Sequence, residues 1–126
     1  MAVNISYDAN APTAAVELPI IRSLPDYDLV KVEAGVPREI DPILASQGFK
    51  DLLDEARSIL DLVLAGSGLE ITQLTGAICV DGGVYRPGVW LVLDEASPAA
   101  GQTMSEEARK GVAAAAEDLR TRLGLS

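Results

Sequence analysis

An amphipathic segment at residues 49–64, FKDLLDEARSILDLVL, constrains the fold of this chain more than any other stretch. Its apolar residues recur at helical spacing for about four turns. The apolar side consists of Phe49, Leu52, Leu53, Ala56, Ile59, Leu60, Val63 and Leu64. The other side carries Lys50, Asp51, Asp54, Glu55, Arg57, Ser58 and Asp61. Because a one-sided helix must bury its apolar side, and strand-like runs precede and follow it, we expect this helix to cover one face of a sheet.

Length and composition fit one globular domain spanning residues 1–126. The chain is 48% hydrophobic and 23% charged, so it can bury a core without disulfides or metal ions. Its longest apolar stretches, residues 77–80 and 89–93, are far shorter than the roughly 18 to 20 residues of a membrane-spanning helix. The first ten residues lack the pattern of a signal peptide, and one cysteine cannot form an internal disulfide. We therefore expect no membrane segment and a location in the cytoplasm or inside an assembled particle.

Alternating patterns near the N-terminus predict strands. Residues 3–7 alternate apolar and polar side chains, which indicates either a short strand or a loose arm within residues 1–13. Residues 16–20 alternate next, and since Pro19 cannot donate to a ladder, we expect this run at the edge of the sheet. A further short strand is predicted at residues 29–32.

Residues 69–80 and 84–93 predict a β-hairpin, because the Asp-Gly-Gly sequence at residues 81–83 offers the positive φ angles that tight turns require. Both strands contain apolar runs without alternation. Such runs are typical of strands covered on both faces, so we expect both strands to be central. The Pro-Gly pair at residues 87–88 is compatible with a bulge or a longer loop as well as with a regular ladder. We expect Trp90 to pack beneath the main helix.

Start signals are present for two further helical segments. Asp41 and Pro42 predict a short helical turn over residues 43–47, which Gly48 separates from the main helix. The Thr-Met-Ser-Glu sequence at residues 103–106 fits a capping box that opens the last helix. The apolar side of that helix consists of Met104, Ala108, Val112, Ala115, Ala116 and residues 119–123. Together the elements predict an α+β fold, in which two main helices cover a mixed or antiparallel sheet of four to five strands in the order (β)ββα-ββα.

The absence of histidine excludes many catalytic and metal-binding arrangements. Neither a Ser-His or Cys-His pair nor a histidine-ligated metal site can be built from this chain alone. Cys79 lies in an apolar run without a basic neighbour in sequence, which favours a packing role over a reactive thiolate. The glycines match neither a Walker loop nor a dinucleotide-binding fingerprint. The sequence therefore predicts no catalytic residue, no metal site and no cofactor.

The charge balance narrows the range of partners. The chain holds 19 acidic and 10 basic residues, and its net charge is -9. Such a chain is not expected to bind nucleic acid or an anionic membrane surface through charge. A charged partner is expected to be basic, although acids scattered singly or in pairs are also what a soluble surface ordinarily carries.

These observations predict a noncatalytic protein-interaction or assembly module. A structural component of a larger particle, an adaptor, a chaperone and an immunity-type protein all fit this description, and the expected partner is another protein or a second copy of the chain. Three features are candidates: the predicted edge strand, the alanine-rich last helix, and the hairpin tip. The candidate contact residues are Val16, Leu18, Ile20, Tyr85, Arg86 and Ala114.

Two alternative functions remain open. An acidic inhibitor or nucleic-acid mimic would present the outer face of the main helix to a basic site. The residues of that acidic face are Asp51, Asp54, Glu55 and Asp61. A small carboxylate-based enzyme or ligand-binding domain would instead need a pocket around one of two acidic pairs. Those pairs are Glu39 with Asp41, and Asp94 with Glu95.

Overall fold

A computed structural model of the chain describes residues 3–20, 40–96 and 104–124. Within these residues there are four strands and three helices. In chain order they are β1 (Asn4–Tyr7), β2 (Thr13–Pro19), α1 (Asp41–Leu44), α2 (Gln47–Val63), β3 (Leu69–Asp81), β4 (Val84–Glu95) and α3 (Glu106–Arg122). The predicted strand at residues 29–32 lies outside the described residues. No helix among the described residues is long and apolar enough to cross a membrane.

The four strands form one antiparallel sheet in the order β1-β2-β4-β3. Alternate side chains of the two inner strands point to the same face and are fully buried. These are Ala14, Val16 and Leu18 of β2, opposite Leu93, Leu91 and Val89 of β4. Helices α2 and α3 cover this face, which confirms the predicted α+β fold.

The predicted main helix is present as α2, and its apolar side is confirmed. Phe49, Leu52, Ala56 and Leu60 are at most 1% exposed. The helix begins one residue before Gly48, because the Ser46 hydroxyl accepts a hydrogen bond from the Phe49 N–H at 3.2 Å and caps the first turn. The expected interruption at Gly48 is therefore wrong.

The last helix also buries its predicted apolar side. Its N-cap is Ser105, whose hydroxyl accepts from the Ala108 N–H at 3.2 Å, so the predicted capping box starting at Thr103 is wrong. The carboxylate that completes the cap comes from the end of β4. Glu95 accepts hydrogen bonds from the Ser105 N–H at 3.0 Å and from its hydroxyl at 3.1 Å. A tertiary contact thus replaces the local capping residue.

The predicted hairpin is confirmed as β3 and β4 joined by Gly82 and Gly83, whose φ angles are 60° and 80°. The ladder continues through Pro87 and Gly88, and the irregularity lies instead in β3, between Ile71 and Gln73. A Cβ at Gly88 would lie 2.2 Å from the Cys79 sulfur and 2.8 Å from the Leu18 carbonyl oxygen. Glycine is therefore required where β2, β4 and β3 come together.

The structure overturns the predicted edge position of β2. This strand lies between β1 and β4. Ile20, the residue after the strand, donates its N–H to the Pro87 carbonyl at 2.8 Å, so the nitrogen of Pro19 points away from β4. On that side the ladder with β1 reaches only as far as Glu17, so the missing N–H of Pro19 removes no hydrogen bond from the described ladders.

Two further expectations about the sheet are also wrong. Strand β3 is an edge strand and not a central one. Trp90 alternates with the buried Val89 and Leu91 and pairs with Glu17 and Thr75, so it lies on the sheet face opposite the helices.

Candidate protein-interaction surface along strand β3

The outer edge of β3 is the longer of the two sheet edges in the described part of the chain. β3 extends from Leu69 to Asp81, and β4 is its only strand neighbour among the described residues. Residues 71–80 carry no charged side chain. Edge strands are ordinarily protected by charges, proline, bulges or short length. Within residues 71–80, the only one of these devices is the bulge next to Ile71, and the charged Glu70 and Asp81 lie just outside this run.

Helix α2 runs along this edge, antiparallel to β3. Near its start, a Cβ at Gly76 would lie 2.7 Å from a ring carbon of Phe49. Near its end, Leu64 and Leu69 line the same groove. The two lengths match, because 15 helical residues and seven strand residues each span about 23 Å. Helix α2 therefore runs beside β3 over its whole length from Leu69 to Gly76.

A groove of about 300 Å³ lies between helix α2 and the edge of β3. It is lined by Arg57, Leu60, Asp61, Leu64, Ala65, Leu69 and Ile71. Leu53, Ile71 and Leu74 are only partly buried against the core. A strand or helix that docked here would therefore remove further apolar surface from water.

The tip of the hairpin continues this surface beyond α2. Val80 pairs with Tyr85 across the hairpin, and the two side chains are 54% and 41% exposed. Ile78, two residues before Val80 on the same face, is 36% exposed. We call Ile78, Val80 and Tyr85 the tip patch.

The structure does not bring the predicted contact residues together. Val16, Leu18 and Ile20 are at most 1% exposed and belong to the core, so they offer no contact surface. Tyr85 and the half-buried Arg86 lie at the hairpin tip. Ala114 is exposed on α3, whereas the neighbouring Ala115 and Ala116 are buried.

The four predicted acids of α2 are all exposed, but they do not form a uniformly acidic face. Arg57 and Asp61 line the groove, and at helical spacing Lys50 and Asp54 lie on the same side of α2. We call Lys50, Asp54, Arg57 and Asp61 the flank row. Its charges alternate in sign along the helix and sum to zero. Asp51 and Glu55 lie outside this row.

Two carboxylates of the predicted catalytic pairs, those of Asp94 and Glu95, accept structural hydrogen bonds. Asp94 accepts from the Thr13 hydroxyl at 2.7 Å, and Glu95 caps α3. Glu95 also lines a depression of about 140 Å³ at the start of α3, together with Glu107. Asp41 is exposed at the start of α1, and Glu39 lies outside the described residues. Among the described residues, no group of three or more His, Cys, Asp or Glu side chains could hold a metal ion.

The sheet face opposite the helices carries a second groove, of about 410 Å³. Its apolar part comes from Ala15, Trp90 and Val92, and its polar rim from Ser6, Asp8 and Thr13. Sequence reasoning missed this feature because it assigned Trp90 to the helix side of the sheet.

Sequence reasoning also missed the edge of β3 as a surface. Residues 71–80 do lack charge, which is a possible sign of a binding edge. However, an uncharged run is typical of central strands as well as of strands that bind a partner. Comparison of the chain with family models, with curated proteins and with solved structures gave no match. The functional proposal therefore rests on the geometry of this chain.

Proposed function

We propose that this chain is a noncatalytic protein-interaction or assembly module that binds through the edge of β3 and the tip patch. One observation carries the proposal: a thirteen-residue edge strand whose central run, residues 71–80, carries no charge. The outward N–H and C=O groups of an edge strand can pair with another strand, and its alternating side chains can select that partner.

The distribution of exposed apolar side chains supports the same surface. Four large apolar residues in the described part of the chain are exposed, namely Leu62, Ile78, Val80 and Tyr85. Three of these four form the tip patch. A cluster of this kind, next to a free strand edge, is typical of a contact surface, whereas an isolated exposed residue such as Leu62 is ordinary.

The two alternative functions have less support. An inhibitor or mimic would bind a basic partner through the acids of α2. That partner would also come close to Lys50 and Arg57, which carry the same charge as the partner. For a carboxylate-based enzyme, the oxygens of Asp94 and Glu95 already accept structural hydrogen bonds, and Asp41 is exposed at the start of α1. For the compartment, we propose a reducing one, the cytoplasm or the interior of a particle, since the chain has a single cysteine, Cys79, which is buried and cannot form a disulfide within the chain.

Site-specific photo-crosslinking tests the proposed surface. A crosslinking side chain at Val80 should yield protein–protein adducts in cells that express the chain, because the tip patch should lie in the contact. The matched control places the same side chain at Leu62, which is 73% exposed and equally apolar. Equal adduct yields at both positions, or none at Val80, would contradict the proposal.

A further inference from the structure

We infer that the partner at the β3 edge is a second copy of this chain, related by a two-fold axis that sets the two α2 helices antiparallel. The inference rests on the proposed function, because it names the occupant of the proposed surface. It is carried by the charge order of the flank row and by the position of that row over β3.

The four charged side chains of the flank row are available for contacts with a second molecule. These four side chains are exposed, and among the described residues none of them takes part in an ion pair within 4.0 Å. Spacings of four, three and four residues keep them on one side of the helix. In the order Lys50, Asp54, Arg57, Asp61, the signs are plus, minus, plus, minus.

Such an order is complementary to itself only when the two helices are antiparallel. Lys50 then faces Asp61 of the second copy, and Asp54 faces Arg57 of the second copy. Both pairs are centred on the same point, between Glu55 and Ala56, so one two-fold axis forms all four contacts. If the two helices were parallel and in register, each side chain would face the same residue of the second copy and therefore a like charge.

The same two-fold axis sets a register in which the β3 strands of the two copies can pair. Because Phe49 lies beside Gly76 and Leu64 beside Leu69, the centre of the flank row lies over about residue 73 of β3. An axis at Gln73 sets Leu69 opposite Ala77 of the second copy and leaves Asp81 outside the overlap.

This register avoids a charge clash between the strands. It sets Glu70 opposite Gly76 of the second copy and away from any acid of β3. The bulge between Ile71 and Gln73 lies close to the axis and interrupts the ladder there. We therefore assign the specificity of the contact to the flank row, with the half-buried Leu53, Ile71 and Leu74 supplying the apolar area.

The charge of the surface favours a copy of the chain over a basic partner. The whole chain carries a net charge of -9, so random contacts between copies are repulsive. The charges of the flank row sum to zero, so a contact made through this row does not add to that repulsion. A basic segment would instead meet Lys50 and Arg57 as like charges.

Charge-reversed variants test the inference by sedimentation equilibrium. Wild type should be a dimer at about 100 μM, a concentration that populates complexes of micromolar affinity. Lys50→Glu with Arg57→Glu makes the row wholly acidic, and Asp54→Lys with Asp61→Lys makes it wholly basic. Each variant alone should dimerise about tenfold or more weakly than wild type, because like charges then face each other. An equimolar mixture of the two should form a heterodimer.

A matched control and a folding check accompany these variants. Asp51→Lys with Asp118→Lys makes the same change in net charge as the wholly basic variant, at exposed positions outside the row, and it should leave the dimer intact. Circular dichroism of each variant establishes that it is folded, and recovery of the heterodimer in the mixture shows directly that both variants are competent to bind.

Three results would overturn the inference. They are a monomeric wild type, row variants that dimerise as tightly as wild type, and a mixture that forms no heterodimer. Loss of the dimer in Ala114→Glu with an intact dimer in the row variants would also overturn it, by placing the contact on α3. A monomeric wild type that still gives adducts from Val80 with a different protein would remove the second copy as the partner and leave the proposed function standing.

Discussion

The two edges of the sheet differ in length and in how they are protected. β1 has four residues, and α3 holds it in place: the Tyr7 hydroxyl donates to the Arg109 carbonyl at 3.5 Å, and the Arg109 guanidinium lies 4.6 Å from the centre of the Tyr7 ring. β3 has thirteen residues, of which ten in succession are uncharged. A short edge offers few groups to an added strand, whereas a long uncharged edge offers many. This contrast is the reason why we propose β3, and not β1, as the edge that binds a partner.

The largest effect should come from removing the support of the β3 edge. Leu60 is fully buried where α2 faces the groove, so Leu60→Ala should lower the free energy of unfolding by about 2 to 5 kcal/mol. The exposed neighbour gives the control, since Asp61→Ala should cost less than about 1 kcal/mol in dilute solution. Denaturant unfolding measures both. Equal losses would mean that the two faces of α2 are wrongly assigned.

A smaller effect is expected where β3 passes closest to α2. Gly76→Ala would place a Cβ 2.7 Å from the ring of Phe49 and 3.2 Å from Leu44, so we expect a loss of about 1 to 3 kcal/mol from overpacking. Gly111→Ala is the matched control. Its Cβ would meet only the flexible end of Leu69 at 3.2 Å, and in the middle of α3 alanine is the better helix former. Thermal unfolding should show the first variant destabilised and the second unchanged or stabilised.

The β1 edge should respond to loss of its anchor without any change at β3. Arg109→Ala removes the cation that stacks on Tyr7 and should cost about 0.5 to 1 kcal/mol. Amide hydrogen exchange should then become faster in β1 while exchange in β3 stays the same. Arg122→Ala, at the exposed end of the same helix, serves as the control. Faster exchange at both edges would argue against two independent edges.

The smallest effect concerns an ion pair on α3, remote from β3. The hydrogen bond and charge of Arg120 lower the pKa of Glu117 below its ordinary value of 4.5. Because the pKa is lower in the folded state than in the unfolded state, the ionised pair stabilises the folded protein at pH values above the ordinary pKa. This contribution is lost as the pH falls through the lowered pKa. The difference in stability between wild type and Glu117→Gln should therefore be small at about pH 7 and should decrease further as the pH falls through the lowered pKa of Glu117. Dimerisation should be the same in both proteins at neutral pH.

Much of the fold could be predicted from local patterns. The period of the apolar residues located α2 and α3, and the Asp-Gly-Gly turn located the hairpin, because these signals depend on neighbours in sequence. The ends of the helices were less predictable. Glu95 is ten residues before Ser105, so the carboxylate that caps α3 is not visible as a local motif.

The order of the strands and the direction of their faces could not be read in the same way. Both alternating sets of β4 are largely apolar, so the sequence did not show that Val89 and Leu91 face the helices while Trp90 faces away. Pro19 was interpreted as an edge signal, although its position at the end of β2 makes the missing N–H harmless. The charge-free run of β3 looked central because lack of charge has two physical causes, burial and partner binding.

Amide hydrogen exchange at two protein concentrations tests the difference between the edges most directly. At a concentration well above the dimer dissociation constant, amides in residues 69–77 of β3 should exchange more slowly than in dilute solution, and amides of β1 should exchange at the same rate in both. Slower exchange at β1 with no change at β3, or rates that do not depend on concentration at either edge, would contradict the assignment of β3 as the interface.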